Sequence, residues 1–246
     1  MMKKIFAVLV CLLPWSVSAQ ETIPPGTVFP AELSTSLDSG KSKPGQAISA
    51  RIMQDVPLPQ GRIPAGARIT GHIVRVAPAN NGKGMQVTLR FDALRFSHRT
   101  VSITTDLRAL ASMADVEDAR IPSTGTDRGT TFAMMTTNQI GGEAVYGQDG
   151  PVTNGSRLVG HAAPGGVLVR LSSKPGSMCQ DSEGDNDGLQ ALWLFASDAC
   201  GLYGFRGLEI THIGRTNPVG QIGIASTEGQ LRVPAGSGLL LRVVAQ

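Results

Sequence analysis

The sequence predicts an all-β fold, a barrel or sandwich closed by its C-terminal strands, with a loop-rich inserted subdomain. Turn-forming residues are abundant, with 30 glycines and 15 prolines in 246 residues. Apolar and polar residues alternate over short runs that these turn residues separate, a pattern typical of sandwiches and barrels. Long runs with helical periodicity are missing from the sequence. Together these features favour strands over helices throughout the chain.

The clearest strand covers residues 85–92. Successive side chains of a strand point to opposite faces, so alternation predicts one buried and one solvated face. The apolar face comprises Met85, Val87, Leu89 and Phe91, and the polar face comprises Gln86, Thr88, Arg90 and Asp92. Upstream, Asn80-Asn81-Gly82 predicts a hairpin turn, because Asn and Gly tolerate positive φ.

Three further runs alternate in the same way. They cover residues 29–38, 48–53 and 101–107. In the last run, Ile103 and Leu107 share the apolar face and Asp106 falls on the polar one. The pattern therefore predicts four strands of a sheet with one wet face.

Residues 61–76 (GRIPAGARITGHIVRV) contain a histidine that could belong to a reactive site or to a plain strand. Pro64-Ala65-Gly66 predicts a turn, and the strand after it would place Ile69 and Ile73 inside. Arg68, Thr70 and His72 would then face outward. A metal site needs two or three further converging ligands, and the nearby sequence supplies none. We therefore predict that His72 is a surface histidine on a strand.

This unit of a turn followed by a strand is repeated. Residues 66–72 (GARITGH) have a copy at 155–161 (GSRLVGH), and a looser copy at 233–243 ends the chain. Chance is the alternative explanation for matches this short. A catalytic histidine would not need copying, so the repeat favours an architectural role over chemistry.

Residues 1–19 have the three parts of a secretory signal peptide. Lys3 and Lys4 precede an apolar run at 5–13, and small residues precede a cleavage point before Gln20. The run is shorter than the roughly 20 residues that span a bilayer, so we expect cleavage and no transmembrane segment afterwards. Cys11 does not follow a small residue, which argues against lipidation. We expect a periplasmic or extracellular protein.

Cleavage would leave the chain almost neutral. The chain has 22 Lys and Arg against 19 Asp and Glu, and loss of Lys3 and Lys4 leaves 20 against 19, a net charge of +1. A nucleic-acid surface needs clustered basic residues and usually stacking aromatics. Aromatic residues make up 4% of the chain, and the arginines are scattered singly along the sequence. We therefore expect no nucleic-acid partner.

Three places could carry chemistry, and each also has a structural interpretation. The acidic residues 181–187 resemble a calcium loop, but EF-hand spacing puts Leu194 where the bidentate glutamate belongs. A solvated acidic loop is favoured, and the question of whether these residues bind calcium is left open. Ser237 lies in a turn without the strand-to-helix elbow of a serine hydrolase. His212 shares a face with Leu208, as a core histidine would. We predict no catalytic residue, no cofactor and no metal site.

Cys179 and Cys200 are the cysteines that remain after cleavage, and we predict a disulfide between them. An even pair in an oxidising compartment is expected to be bridged. A free pair and a metal-binding pair are the alternatives, and no histidine lies near either cysteine in sequence to favour a metal. The bridge would enclose the acidic residues 181–187 and the apolar run 191–195.

Several segments occur in an order found in a known family. They are 26–33 (GTVFPAEL), 37–39 (LDS), 45–56 (GQAISARIMQDV), 63–71 (IPAGARITG) and 230–243 (QLRVPAGSGLLLRV). This series resembles the TrbI-like family, the periplasmic β-barrel components of conjugation and type IV secretion channels. Those channel proteins also carry a cytoplasmic segment, an inner-membrane helix and a proline-rich linker. Because this chain starts its barrel directly after the signal, it is most similar to a free-standing secreted relative.

The resemblance implies a barrel built from residues 20–107 and 220–246. Residues 108–219 fit the family less well, so we predict that they form an inserted subdomain containing the disulfide. A short helix is predicted at 107–119, with Asp115, Glu117 and Asp118 near its C-terminal end.

Three functional hypotheses follow. The leading one is a non-enzymatic exported cell-envelope protein, a β-barrel module for protein–protein interaction or envelope assembly, whose partner would be another envelope protein. The second is a secreted hydrolase acting on envelope polymers, which would need a cleft with convergent polar groups. The third is a glycan- or ligand-binding module. The oligomeric state is left open.

Overall fold

The computed structural model describes residues 22–80, 82–121, 136–147, 150–180 and 186–245. Within these described residues the fold is nearly all β, with 51% of them in strands and 4% in helix. The predicted all-β class is confirmed. The signal peptide, Asn81 of the predicted hairpin turn and most of the acidic run 181–187 lie outside the described residues.

Twenty strands and one helix, α1 (Met113–Arg120), are found in the described residues. The strands are β1 (Val28–Leu33), β2 (Leu37–Asp38), β3 (Ala47–Ile52), β4 (Val56–Leu58), β5 (Gly61–Ile63), β6 (Arg68–Pro78), β7 (Met85–Phe96), β8 (Arg99–Ser102), β9 (Thr105–Ala111), β10 (Thr136–Asn138), β11 (Ala144–Tyr146), β12 (Pro151–Asn154), β13 (Arg157–Ala163), β14 (Gly166–Arg170), β15 (Leu189–Ala191), β16 (Gly201–Tyr203), β17 (Leu208–His212), β18 (Ile222–Ser226), β19 (Arg232–Val233) and β20 (Gly238–Val243).

Nine of these strands form a nearly closed barrel-shaped sheet. Their order is β16-β9-β20-β1-β3-β6-β7-β18-β17, with β8 added beside β7. All neighbours are antiparallel except β16 and β9, which are parallel. Side chains fill the barrel, and the cavity at its centre measures about 10 Å³, no more than one water molecule needs.

The C-terminal strand completes the barrel, as predicted. β20 pairs with β1 on one side and with β9 on the other. Leu239, Leu241 and Val243 point into the barrel core, each no more than 5% exposed. The opposite face of β20 is also covered, because Leu240 belongs to a second apolar core.

The second core lies under a separate six-stranded sheet, β10 to β15 in sequential order. It packs Val167, Val169 and Phe195 against Val28 and Leu240 from the outer wall of the barrel. β1, β9 and β20 are therefore buried on both faces, whereas β3 and β7 keep one wet face. The second sheet is the predicted insertion, packed on the barrel.

The predicted boundaries of the insertion need correction. The barrel sheet includes β16 and β17, so residues 201–212 belong to the barrel rather than to the predicted insertion 108–219. At the other boundary, β9 continues to Ala111. β16 and β17 are short strands set among glycines, which gives them no clear alternating pattern.

The predicted helix 107–119 starts too early. Residues 107–111 are strand, and Ser112 caps a helix that begins at Met113. The Ser112 hydroxyl accepts a hydrogen bond from the Asp115 amide at 3.1 Å. Asp115 therefore lies in the first turn, where a carboxylate is favourable, rather than near the C-terminal end.

The repeated turn and strand is present at all three places. Gly66, Gly155 and Gly236 have φ of 88°, 60° and 88°. Each lies two residues before a strand, β6, β13 or β20. The left-handed conformation favours glycine in these turns, so the repeated letters mark a repeated local structure.

The predicted cysteine pair is at disulfide distance. The Cα atoms of Cys179 and Cys200 lie 6.1 Å apart and the sulfur atoms are bonded. Cys179 is fully buried. The bond joins the segment after β14 to the residue that precedes β16, and so fastens the end of the insertion to the barrel.

We expect the double variant Cys179→Ser/Cys200→Ser to lose about 3 kcal/mol of unfolding free energy, because the bond closes a loop with a sequence separation of 21 residues. Urea unfolding of the exported protein measures this. Quantitative labelling of both cysteines by a thiol reagent in the native protein would contradict the bond.

Candidate functional site

His72 lies on the outer face of β6, as predicted. Its side chain is 41% exposed, and Nδ1 lies 3.0 Å from Oδ2 of Asp92 on the neighbouring strand β7. Ile69 and Ile73 of the same strand are fully buried. Arg90 also approaches Asp92, with Nε at 3.9 Å from Oδ2. The contact described for His72 is thus a surface contact with a carboxylate on the neighbouring strand.

Gly71, beside His72, has a tighter environment. A Cβ atom at this position would lie 1.9 Å from the carbonyl oxygen of Arg90 and 2.7 Å from Cα of Phe91. The register of β6 and β7 shifts at this point. The glycine therefore permits close approach of two backbones, which is a structural reason for the Thr-Gly-His sequence.

We expect His72→Ala and Arg68→Ala to change the free energy of unfolding by about 0.5 kcal/mol or less, as ordinary surface substitutions do. Gly71→Val should cost about 1–3 kcal/mol or more, because the new side chain overlaps backbone. Thermal unfolding of the variants measures both. Loss of a measured function in His72→Ala with an unchanged melt would restore the reactive-site interpretation.

His212 is half-buried at the end of β17. Its Nδ1 lies 2.7 Å from the carbonyl oxygen of Gln221, and its Nε2 lies 3.3 Å from the hydroxyl of Thr216. Both ring nitrogens thus have local partners. These contacts agree with the predicted structural histidine, although the ring is less buried than a core position implies.

Ser237 is fully buried in the turn before β20. Its hydroxyl has no hydrogen-bond partner among the described residues. A serine with no accessible surface cannot meet a substrate without opening of the fold. The prediction of a structural turn at this position agrees with its burial.

The acidic run is described only at its end. Asp187 is exposed, and the side chain of Asn186 accepts a hydrogen bond from the Gly188 amide at 2.9 Å. Residues 181–185 lie outside the described part of the chain. Within that part, no group of three or more His, Cys, Asp or Glu side chains is placed to hold a metal ion.

Sequence reasoning missed a buried charge cluster between the barrel and the second sheet. Asp106 on β9 is fully buried, and its Oδ2 accepts hydrogen bonds from Arg242 at 2.7 Å and Arg215 at 3.0 Å. Asp106 and Arg242 are direct partners in the β9–β20 ladder. The other carboxylate oxygen of Asp106 is buried without a partner in the described residues.

Arg108 extends the cluster towards the second sheet. It is 1% exposed, and it donates hydrogen bonds to the carbonyl oxygens of Ser172 and, at 3.3 Å, Ser197. The pKa of Arg108 is lowered to about 10, chiefly by burial and also by the neighbouring charge of Arg242, while Asp106 opposes the shift. The guanidinium is still charged at neutral pH, so the chain holds a costly buried cation against its own backbone.

Buried amides also join the two sheets. The Gln54 side chain donates to the carbonyl oxygen of Val167 at 2.9 Å and accepts from the amide of Trp193 at 2.8 Å. Gln190 accepts from the Val28 amide at 3.2 Å. These bonds fix the second sheet on the barrel and leave little freedom for a cleft between them.

The chemistry available in the cluster is that of a scaffold. Asp106 is held by hydrogen bonds from two guanidinium groups. Arg108 is occupied by two backbone carbonyls. The arrangement binds one part of the fold to another, and of its side chains Arg215 is partly exposed, at 17%.

Two surface features outside the cluster bear on function. One is a groove of about 240 Å³ on the second sheet, lined by Arg157, Leu158, Val159, Arg170, Leu171 and Ser172. The other is the outer surface of β3, β6, β7 and β8, which carries His72 and several arginines; we call it the basic face.

No protein-family model matches the chain, and no curated protein is similar to it at a significant level. In the described residues, no helix has the length and apolar character needed to cross a lipid bilayer. The class of protein is therefore defined by the fold: a nearly closed β-barrel carrying a second sheet on its outer wall.

Proposed function

We propose that this protein is a non-enzymatic, exported cell-envelope module, a free-standing TrbI-like β-barrel that acts through protein–protein interaction or envelope assembly. The observation that supports this most is the filled barrel, whose central cavity of about 10 Å³ leaves no room for a small ligand. A solid barrel offers a partner its outer surface.

The location forms part of the proposal. The signal-like residues 1–19 and the bonded pair Cys179–Cys200 both fit export to an oxidising compartment. We expect the exported protein to begin at Gln20, and intact-mass measurement of protein from the periplasm or medium tests this. An exported protein that keeps Met1 would remove the cleavage from the proposal.

Site-specific photo-crosslinking in living cells tests the interaction. A photoreactive amino acid is placed at exposed Thr100 on the barrel, Leu158 on the second sheet or Met178 near the disulfide. We expect a defined adduct with an envelope protein from at least one position. The buried position Leu231 serves as the control and should give none.

If every exposed position yields only the uncrosslinked chain, the proposal that this protein is an interaction module is wrong. Hydrolysis of an envelope polymer by the purified full chain, above the level of a mock purification, would favour the enzyme instead. The two results separate the leading hypothesis from the hydrolase hypothesis.

A glycan- or ligand-binding module is a second candidate, favoured by the groove on the second sheet. Leu158 is 67% exposed at the edge of this groove, between Arg157 and Arg170. At about 240 Å³ the groove lies below the usual range of roughly 300–1,000 Å³ for ligand pockets. It therefore ranks behind the interaction module.

A further inference from the structure

The basic face gathers arginines that are scattered in the sequence. Its four strands, all within the described residues, carry one carboxylate, Asp92, and no lysine. They carry six arginines, Arg51, Arg68, Arg75, Arg90, Arg95 and Arg99. The near-neutral balance of the whole chain is therefore not shared by this surface.

Three of these arginines form a row across neighbouring strands. Arg51 on β3 is the direct partner of Arg68 on β6, and Arg68 is the direct partner of Arg95 on β7. All three are exposed, whereas the residues next to them inside the barrel are buried. Cβ atoms of direct partners lie about 5 Å apart, and like charges at that spacing destabilise a sheet.

The row has little compensating negative charge. Glu32 lies 3.8 Å from Arg51, but it is closer to Arg120, at 2.7 Å. Within the described part of the chain, no carboxylate forms an ion pair with Arg68 or Arg95. Three adjacent arginines add nothing to the stability of the sheet, whereas an anionic ligand would neutralise them.

The chemistry of the basic face limits the classes of ligand that it can bind. A guanidinium presents a planar fork that suits carboxylate or phosphate oxygens. Membrane contact and nucleic-acid stacking both use exposed apolar or aromatic side chains. The large exposed apolar side chains of the described residues are Met113, Ile121, Leu158, Met178, Leu189 and Val219, and none of them lies on this face.

The strand β8 favours a polypeptide over a glycan. β8 hydrogen-bonds with β7 and is off the main path of the sheet, and in the described part of the chain its outer edge pairs with no second strand. An extended peptide can pair with such an edge and place alternate side chains over the sheet face. Thr100 is the direct partner of Arg95, so the edge continues the arginine row.

We propose that the basic face binds an acidic, extended segment of a partner protein. Backbone pairing along β8 positions the segment, and its carboxylates neutralise Arg68 and Arg95. This inference rests on the proposed interaction function and specifies the partner's chemistry. The arginines supply the positive charge and the planar hydrogen-bonding groups. His72 and Asp92 lie beside the row and are not part of it.

The test uses the full exported chain and a labelled synthetic peptide of alternating glutamate and threonine. Fluorescence anisotropy measures its affinity for the wild type, for Arg68→Gln/Arg95→Gln and for the control Arg206→Gln/Arg232→Gln. The control removes the same charge from exposed arginines that lie outside the basic face. We expect the first variant to bind about tenfold or more weakly, and the control to bind like wild type.

Three additional measurements sharpen the test. Arg68→Lys/Arg95→Lys keeps the charge but loses the planar fork, and should bind with intermediate affinity. The alternating glutamine–threonine peptide should not bind. The melting temperature of Arg68→Gln/Arg95→Gln should not fall, because the substitutions relieve like-charge repulsion.

Several results would overturn the inference. Equal weakening in both double variants would show a diffuse charge effect. Binding of anionic lipid vesicles or of an acidic polysaccharide, with no binding of the acidic peptide, would identify another class of ligand. A crosslinked partner whose capture is unaffected by Arg68→Gln/Arg95→Gln would refute this face while leaving the proposed function intact. Failure of all crosslinking would refute the function itself.

Discussion

A chain that ends at Gly229 is expected to lose its cooperative thermal unfolding transition. The deletion removes β19 and β20, and β20 lies between β1 and β9 rather than at an edge. All six residues of β20 are buried. Two strands would lose their neighbour at once, and both would expose backbone groups and apolar surface.

The size of the effect follows from the buried leucines. Replacing one buried leucine by alanine costs about 2–5 kcal/mol, while a whole domain is stable by about 5–15 kcal/mol. The deletion removes Leu239 and Leu241 from the barrel core and Leu240 from the second core. We therefore expect the loss to exceed the stability of the fold.

Circular dichroism during heating measures this. A chain ending at Val244 keeps β20 complete and should melt like the full chain. As a milder variant, Leu241→Ala should retain the fold with a loss of about 2–5 kcal/mol, whereas exposed Leu158→Ala should change little. A cooperative transition in the chain ending at Gly229 would show that β20 does not close the barrel.

The strands that could be predicted from sequence are those with one wet face. β3 and β7 alternate because their outer sides meet solvent, and Ile48, Val87 and Leu89 fall on the buried side as expected. β9 was misread beyond Leu107 because every residue from Thr105 to Ala111 is buried. With a core on each side, a strand loses its period of two.

The ends of the insertion could not be placed for a related reason. β16 has three residues and pairs in parallel with β9, from which it is separated by the whole second sheet. Local patterns cannot report a partner so distant in sequence. The cysteine pair could be predicted, because the number of cysteines and the compartment limit the pairing.

For the candidate site, the sequence predicted which face of the sheet a side chain lies on better than it predicted what covers that side chain. The alternation of residues 101–107 directs Asp106 away from the barrel core, and the structure agrees. The outer face there is covered by segments around Ser172 and Ser197, so a position with a polar pattern is fully buried. Likewise, arginines that are single in sequence become neighbours only through the register of β3, β6 and β7.

We expect Asp106→Asn to destabilise the protein by about 3–5 kcal/mol, the usual cost of removing one partner from a buried ion pair. Its carboxylate accepts from Arg242 and Arg215, and it opposes the lowering of the Arg108 pKa. The variant leaves these guanidinium groups buried around a neutral amide. Asp92→Asn is the matched control, since Asp92 is a surface partner of His72 and should cost under about 1 kcal/mol.

A double-mutant cycle distinguishes the ion pair from general packing. Arg242→Met leaves Asp106 with Arg215 as its cationic partner, and should be strongly destabilising alone. If the pair is the cause, Asp106→Asn combined with Arg242→Met should cost clearly less than the sum of the two single changes, because the second change removes a cation that the first left unpaired. Additive costs in urea unfolding would mean that Asp106 and Arg242 act independently. In that case, the charge of Asp106 would not be what holds β9 and β20 together beneath the second sheet.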